Sequence, residues 1–304
     1  MVSEELLLRL NDSEYKNWLK AGRCLLILKS GLHLFTSQHM RGFHKDLLSH
    51  SPLLGRPCET NACRGNQLSL ACRACSEWKK AILAHQRKPK RNVYWENCFP
   101  PSWRTDFWEV AKAYMPRGQG KVKGADQCDA SALLNLITSC DCFQSVDPTF
   151  VREVIHYRNE IMHSSELRIK DEWIRRYQTT LKHLVRQFSH IPQMAKVGQE
   201  IDEMLAVDLS VSVSGLDQLD SVDSDGLVCD SLRQSEANGD LISQWEAELL
   251  QERLQELLHT DDEDAETRDT EQLKRLGGFL QANRDLGERF SAELQAIDSL
   301  QARQ

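Results

Sequence analysis

Apolar residues recur every three to four positions along most of the chain, which is the spacing of one face of an α-helix. Residues that favour helix N-termini precede several of these segments, at Asp12 or Ser13, Ser37, Ser76, Asp129, Asp147 and Asp171. Proline follows Asp147, and proline is favoured at the first position of a helix. No long alternation of apolar and polar residues, which would indicate a β-strand, competes with this pattern. We therefore expect a mainly α-helical fold.

The helical pattern stops within residues 208–240 and returns after them. This range is rich in serine, aspartate and glycine and holds a single arginine, a composition that predicts an acidic disordered linker. From residue 241 onwards, apolar residues again follow helical spacing, which predicts amphipathic helices that form a helical hairpin or a short coiled coil. The sequence thus predicts a helical domain over 1–207, a linker over 208–240 and C-terminal helices over 241–304.

Charge is distributed unevenly between the two ends of the chain. The net charge is −7, but residues 1–207 hold 30 lysine and arginine residues against 22 acidic ones, whereas residues 208–304 hold 8 against 23. A basic surface favours nucleic acid, and an acidic tail can compete for the same surface. The alternative interpretation is that both charges only keep the protein in solution.

Apolar runs in the chain are short. The best of them, CLLIL at 24–28, is followed by Lys29, and it falls far below the roughly 18–20 apolar residues that a membrane-spanning helix needs. The first residues are acidic and lack the basic segment that opens a secretory signal. We expect an intracellular protein, cytoplasmic or nuclear, with no membrane partner.

Four cysteines lie within residues 51–75, a stretch with proline and glycine and too few apolar residues to fold by itself. They are spaced as Cys58-x4-Cys63-x8-Cys72-x2-Cys75. Disulfides are rare inside cells, and four thiolates suit the tetrahedral coordination of a structural zinc ion. The sequence therefore predicts a small zinc loop with these four cysteines as ligands. Cys98 or His85 is an alternative ligand, and free thiols in a loop are the alternative to a metal.

The segment VIHYRNEIMHSSELRI, residues 154–169, places an arginine among apolar residues. Arg158 falls inside the apolar face of the predicted helix, and Asn159 and His163 lie one turn apart on its polar flank. A buried guanidinium is costly unless an anion or a carbonyl group meets it. One interpretation pairs Arg158 with an acidic residue of the preceding helix, such as Asp129. The other gives Arg158 a phosphate to bind and His163 a proton to transfer.

Several stretches of the chain resemble known families. RNEIMH matches the R-N/D/H-x3-H signature of HEPN domains, an all-α group that includes metal-independent endoribonucleases. IHYRNEIMH resembles in particular the version found beside zinc-finger ubiquitin ligases, where a leucine-rich helix like DASALLNLITSC also precedes the motif. EYKNWLKAGRCLLIL, CRACSEWKKAIL, WENCFPPSW, WEVAKAYMPRG and RNEIMHSSE resemble a vertebrate family of uncharacterised proteins first named as an X-linked open reading frame. This second resemblance covers most of residues 1–190 and, more weakly, the tail.

The resemblance to HEPN domains implies roles for three residues. Arg158 would stabilise the charge on an RNA phosphate, Asn159 would orient His163, and His163 would act as general base or acid. Many HEPN domains keep the fold without catalysis, so the resemblance leaves catalysis open. We therefore expect a HEPN-like RNA-binding or interaction module, with endoribonuclease activity as one form of it. The rival is a protein-interaction scaffold with no RNA role, in which Arg158 forms a structural ion pair; in either case the C-terminal helices would bind a protein partner or a second copy of the chain.

Overall fold

The computed structural model describes residues 4–59, 63, 72–87, 93–209, 228–258 and 266–301, with side chains from 239 and from 270 onwards in the last two ranges. Within these ranges the α-helices are α1 (Glu4–Arg9), α2 (Ser13–His50), α3 (Arg73–Ala84), α4 (Phe107–Ala111), α5 (Ala130–Ser139), α6 (Pro148–Met162), α7 (Asp171–Arg186), α8 (Pro192–Ala206), α9 (Val228–Leu258), α10 (Glu266–Ala282), α11 (Arg284–Arg289) and α12 (Ser291–Gln301). Short 3₁₀ turns lie between several of them, and the described ranges contain no β-strand, only an isolated bridge between Gln86 and Cys140. The expectation of a mainly helical fold is confirmed.

The helices form two compact units, each assembled from segments that are distant in the sequence. The central unit contains Cys24–Arg158 and Tyr177–Asp202, and the terminal unit contains Met1–Arg23, Asn159–Arg176 and Glu203–Gln304. The consecutive domain ranges that the sequence predicts stay a prediction, because periodicity along a chain reports local structure and says little about which distant segments pack together.

Helix α5 lies in the core of the central unit. Almost all of its side chains are buried, and Leu133 and Leu136 are among those with no exposed surface. Burial on nearly every side is typical of a helix inside a core and not of one at a surface. Asp129 caps this helix, since its Oδ1 accepts a hydrogen bond from the main-chain N–H of Ala132 at 2.8 Å.

The aperiodic stretch between α3 and α5 is organised by a buried ion pair. Lys112 is 1% exposed, and its Nζ donates to Glu109 Oε1 at 2.7 Å and to the main-chain oxygen of Gly120 at 3.0 Å. Glu109 Oε2 accepts from the main-chain N–H of Phe99 at 2.7 Å. A protein interior tolerates charges that are paired and hydrogen-bonded. This pair therefore ties together three parts of a segment that consists mostly of turns.

Helix α2 is continuous over 38 residues, whereas the sequence predicts that a new helix starts at Ser37. Hydroxyl groups inside a helix can bond to the preceding turn, as Thr36 Oγ1 does by donating to the main-chain oxygen of Leu32 at 2.8 Å. Close packing also supports the middle of α2, because a Cβ at Gly31 would lie 2.7 Å from Met194 Sδ of α8. Ser37 is therefore an interior residue of α2, and the predicted start there is wrong.

In the terminal unit, Arg9 connects several helices. Its side chain is 6% exposed and donates to Glu246 at 2.7 and 2.8 Å, to Asn283 at 3.0 Å and to Asp285 at 2.9 and 3.0 Å. Tyr15 also donates to Glu246, at 2.6 Å. Because a buried charge is stable only when its partners are in place, these bonds hold α1, α9 and the start of α11 together.

Within the described residues, the C-terminal part contains the helices α9 to α12, whereas the sequence predicts a helical hairpin or a short coiled coil. Helix α10 packs against α9, α11 and α12. Leu250, Leu254 and Leu280 have no exposed surface, so these helices cover much of their apolar face within the chain itself. Helix α9 begins at Val228, inside the range predicted as a linker, and residues 210–227 lie outside the described residues.

None of the described helices is both long enough and apolar enough to span a membrane. Helix α5, which is buried on nearly every side, has only 10 residues.

Candidate metal centre and motif helix

The four cysteines that the sequence predicts as zinc ligands lie together in the central unit. Cys63, Cys72 and Cys75 are buried, Cys58 is partly exposed, and none of them forms a disulfide. Their Sγ atoms all lie within 4.8 Å of one another, and those of Cys58 and Cys72 are 3.7 Å apart. Zinc–sulfur bonds of about 2.3 Å in a tetrahedron place the sulfur atoms about 3.8 Å apart. The group therefore has the ligand type, number and spacing that suit a structural metal ion.

Helix α3 and the loop before it position these cysteines. Cys72 is the N-cap residue of α3 and Cys75 lies in its first turn, where the main-chain N–H of Ser76 donates to the oxygen of Cys72 at 3.0 Å. The indole N–H of Trp78 donates to the main-chain oxygen of Leu54 at 3.1 Å, and both side chains are almost fully buried. This contact holds the start of the loop against α3, beside the two cysteines that the helix contributes.

Burial and crowding favour the protonated form of the Cys75 thiol. Burial, followed by the neighbouring thiols of Cys72, Cys58 and Cys63, raises the pKa of the Cys75 thiol well above its usual value. Thiolates so close together would repel one another, so without a cation Cys75 keeps its proton. A bound dication offsets the repulsion, and the thiols lose their protons on binding. Metal binding at this group is therefore expected to weaken as the pH falls.

Neither of the alternative ligands belongs to this group. Burial, followed by the nearby carboxylate of Glu109, raises the pKa of the Cys98 thiol to about 12. His85 has a different partner in the central unit, since its Nδ1 lies 2.9 Å from Asp141 Oδ1. Within the described residues, the group that could hold a metal ion consists of the four cysteines alone.

Arg158 lies on the buried side of α6 in the central unit, as its position in the apolar stripe predicts. The residue is 6% exposed, and its Nη2 donates to Asp129 Oδ2 at 2.8 Å. The other oxygen of Asp129 accepts the N–H bond that caps α5. One carboxylate thus starts α5 and also neutralises the buried guanidinium of α6. This contact is the one that the structural interpretation of the sequence names.

Asn159 follows Arg158 on α6, and His163 comes directly after the last residue of this helix. The Asn159 side chain is exposed, and its main-chain oxygen accepts from the N–H of His163 at 2.8 Å. His163 Nδ1 lies 3.0 Å from Gln272 Oε1, and its Nε2 lies 3.9 Å from Glu256 Oε1. An amide oxygen only accepts hydrogen bonds, so Nδ1 carries the proton in this contact. His163 is therefore oriented by side chains of α9 and α10.

A surface cavity of about 440 Å³ lies beside His163 in the terminal unit. Arg168 and Trp173 also line it. Arg168 pairs with Asp12 at 2.6 Å, and the indole N–H of Trp173 donates to Glu160 at 2.6 Å. Two of the polar side chains around this histidine are therefore engaged in contacts within the unit.

Reasoning from the sequence did not identify a cluster of titratable residues in the central unit. One open cavity is lined by His39, Asp46, His50, His85, Asp141 and His190. These residues come from α2, the end of α3, the segment after α5 and the segment before α8. Because they are spread over four segments, no motif or spacing in the sequence marks them.

Comparisons with known proteins identify the family of this chain. No solved structure matches it. The mouse (Mus musculus) protein named "Uncharacterized protein CXorf38 homolog" is 41% identical to it over 310 residues, which cover 99% of this chain and 93% of the mouse protein. A family model described as "Domain of unknown function (DUF4559)" matches residues 9–303. The chain therefore belongs to the DUF4559 family.

Proposed function

We propose that this chain is a non-catalytic helical module that binds protein partners, and that one zinc ion stabilises its central unit. The observation that carries the proposal is the contact between Arg158 and Asp129, 2.8 Å long, in which the arginine is 6% exposed. The most distinctive residue of the motif helix thus has a structural partner. The proposal makes two claims, that the four cysteines bind a structural zinc ion and that the motif helix has no catalytic role.

The metal part is supported by the four sulfur atoms within 4.8 Å of one another. Thiolates are soft ligands that select zinc over magnesium or calcium. Four protein ligands fill a tetrahedral shell, so no position is left for a water molecule or a substrate. The ion would therefore hold the loop before α3 and would take no part in a reaction. The free thiols also fit the intracellular location that we propose, since the cytosol keeps cysteines reduced.

The absence of catalysis is supported by the surroundings of Arg158. To bind an RNA phosphate, the guanidinium would have to exchange Asp129 for the phosphate. The exchange would leave the carboxylate of Asp129, whose side chain is 34% exposed, without its cation and beside the phosphate, at a cost of about 2–3 kcal/mol. It would also disturb the carboxylate that caps α5. Arg158 is therefore better suited to joining α5 and α6 than to stabilising a reaction.

We place the module among the HEPN-like proteins that keep the fold without nuclease activity. The mainly helical architecture and RNEIMH at the end of α6 support this placement. RNA cleavage is the second candidate, and one observation favours it. The His163 side chain is 39% exposed, and the bond from Nδ1 to Gln272 leaves Nε2 as a proton acceptor in the neutral ring.

A cleavage assay on the full chain separates the two candidates. Zinc-loaded protein is incubated with labelled single-stranded RNA beside the His163→Ala and His156→Ala variants. His156 is an exposed histidine of α6, the helix that His163 directly follows, and it serves as the matched control. We expect no cleavage above background in any of the three proteins, and no RNA retained at physiological salt.

Two results would overturn the proposal. The first is cleavage that leaves 2′,3′-cyclic phosphate ends, is lost in His163→Ala and is kept in His156→Ala. This would make the chain a ribonuclease. The second is RNA bound at physiological salt without cleavage, because the partner would then be a nucleic acid. Either result can be obtained from the same preparation.

A further inference from the structure

The central unit contains an open cavity of about 1170 Å³ that has no role in the proposal above. We call it the histidine groove and define it by His39, Asp46, His50, His85, Asp141 and His190, which line it. Its volume is larger than the roughly 300–1,000 Å³ of typical small-molecule sites. The size and openness of the groove suit a segment of polypeptide better than a metabolite.

Hydrogen bonds inside the protein set the orientation of three of the histidines. His39 Nδ1 lies 3.1 Å from the main-chain oxygen of Phe35, and His50 Nδ1 lies 2.7 Å from that of Asp46. His85 Nδ1 lies 2.9 and 3.0 Å from the two carboxylate oxygens of Asp141. Carbonyl and carboxylate oxygens only accept, so Nδ1 is the donor in all three. In the neutral form of each ring, Nε2 is then a hydrogen-bond acceptor.

Burial favours the neutral form in at least one of these rings. Burial lowers the pKa of His39, and the nearby His190 lowers it further, whereas the bond to Phe35 opposes the change. A neutral His39 offers a lone pair and not a positive charge. His39 therefore adds no positive charge to the groove at neutral pH and does not attract an anion.

The charged side chains that line the groove are acidic. Asp46 and Asp141 contribute carboxylates, and no lysine or arginine is among the lining residues of this cavity, all of which the structure describes. Asp46 is exposed, so its carboxylate is accessible to a partner. Carboxylates and imidazole lone pairs together accept hydrogen bonds from cationic groups. The groove is therefore complementary to positive charge.

Apolar side chains lie beside these acceptors. Phe43 and Leu47 line the groove from α2, and Ile191 and Pro192 line it at the start of α8. Binding sites usually combine an apolar surface with a few polar groups that set orientation. A ligand that suits this groove thus carries an apolar group next to a cationic one. Nucleic acid does not meet this requirement, because its phosphates would face the two carboxylates.

We propose that the histidine groove docks an extended basic peptide segment of a protein partner, in which arginine or lysine alternates with an apolar residue. A cationic side chain lies against the exposed carboxylate of Asp46, a second one shares the carboxylate of Asp141 with His85, and the apolar side chains lie on Phe43 and Leu47. This inference rests on the proposed function, since it names the partner class of the same module. It adds the site at which the partner binds and the kind of side chains that the partner presents there.

Fluorescence anisotropy on the zinc-loaded full chain tests this docking. The probe is a fluorescein-labelled hexapeptide in which leucine and arginine alternate, and the comparison peptides replace arginine by glutamate or leucine by serine. We expect the leucine–arginine peptide to bind at least about tenfold more tightly than either of the others, the equivalent of about 1.4 kcal/mol. Equal affinity for the three peptides would overturn the proposal.

Variants locate the binding on the protein. Asp46→Asn should weaken binding of the leucine–arginine peptide at least about fivefold, because a cation loses its carboxylate partner. Asp46 bonds to His50 through its main-chain oxygen, so this variant keeps that contact. The matched control is Asp202→Asn, which removes an exposed carboxylate of the central unit that pairs with Lys182 outside the groove. The control should bind like the wild type, and an equal loss in both variants would contradict docking in the groove.

The two proposals fail in different assays. If the peptide does not bind and RNA is neither cleaved nor retained, the groove is wrong and the non-catalytic module stands. If RNA is cleaved in a way that depends on His163, the module is wrong, whatever the peptide does. Circular dichroism on each variant verifies that a loss of binding does not come from unfolding.

Discussion

The four-cysteine group and the motif helix α6 are the two most suggestive features of the sequence. They differ in whether their contacts are local or come from distant parts of the chain. The cysteines come from one loop and the first turn of α3, and their sulfur atoms lie within 4.8 Å of one another. The motif residues are held by distant partners. Arg158 pairs with Asp129, 29 positions away, and His163 contacts Gln272, 109 positions away.

The difference shows which kinds of motif can be interpreted from sequence. Metal ligands in a short loop are brought together largely by the loop itself, because the chain between the ligands limits where they can lie. The role of an arginine on a helix cannot be predicted from its own segment, because it depends on which group contacts the guanidinium. Arg9 in the terminal unit likewise depends on acceptors that are distant in the sequence, among them Glu246 and Asp285. Arg158 and Arg9 are both buried, and each is paired within its own unit.

The largest effect in this comparison is expected from the thiol group. Cys75→Ser should lower the free energy of unfolding by at least about 4 kcal/mol, the stabilisation that a ligand provides at a thousand times its Kd. Cys98→Ser changes a buried cysteine outside the group, and it should cost no more than about 2 kcal/mol. Urea denaturation of both variants measures the difference. Equal losses would mean that the four thiols act only as packing.

A smaller effect is expected from the ion pair of the motif helix. Arg158→Ala should lower the free energy of unfolding by about 2–3 kcal/mol, since it leaves the carboxylate of Asp129 without its cation. The Asp129 side chain is 34% exposed, which places the value below that of a fully buried pair. Arg152→Ala, on the exposed side of α6, is the control and should cost at most about 0.5 kcal/mol. A stable Arg158→Ala protein would contradict the structural role.

The smallest effect concerns pH and extends the comparison to a titratable group of the histidine groove. Because burial lowers the pKa of His39, the folded state favours the neutral ring and the unfolded chain takes up a proton first as the pH falls. The contribution of His39 is therefore complete above about pH 6.5 and is lost as the pH falls from there towards the lowered value.

His39→Gln should reduce this pH dependence by less than about 1 kcal/mol, because solvent screens a ring that is partly exposed. Urea denaturation at several pH values measures the slope, with His156→Gln as the control on the exposed face of α6. A slope that is unchanged in His39→Gln, or that changes equally in the control, would contradict the account of this ring.

Much of the helical pattern could be predicted because caps and periodicity are local. Asp129 caps α5, Pro148 begins α6 and Asp171 begins α7, each at the position that the sequence indicates. Helix α2 continues through Ser37, and α8 packs closely against its middle at Gly31. A cap residue type is therefore a start signal only where the apolar pattern also begins.

The candidate sites divide in the same way. The four cysteines could be predicted as a group because they lie within 18 residues of one another. The pairing of Arg158 with Asp129 could be named only as one of two interpretations, since only the fold decides which group contacts the guanidinium. The histidine groove could not be predicted, because its residues come from four segments that only the folded central unit brings together.

Metal analysis of the purified full chain tests the central claim most directly. Protein prepared with zinc in the growth medium and without chelators is measured by mass spectrometry of its metals. We expect about one equivalent of zinc per chain, retained through gel filtration and lost in Cys72→Ser. Folded wild-type protein that carries less than about one tenth of an equivalent would contradict a zinc centre formed by these four cysteines.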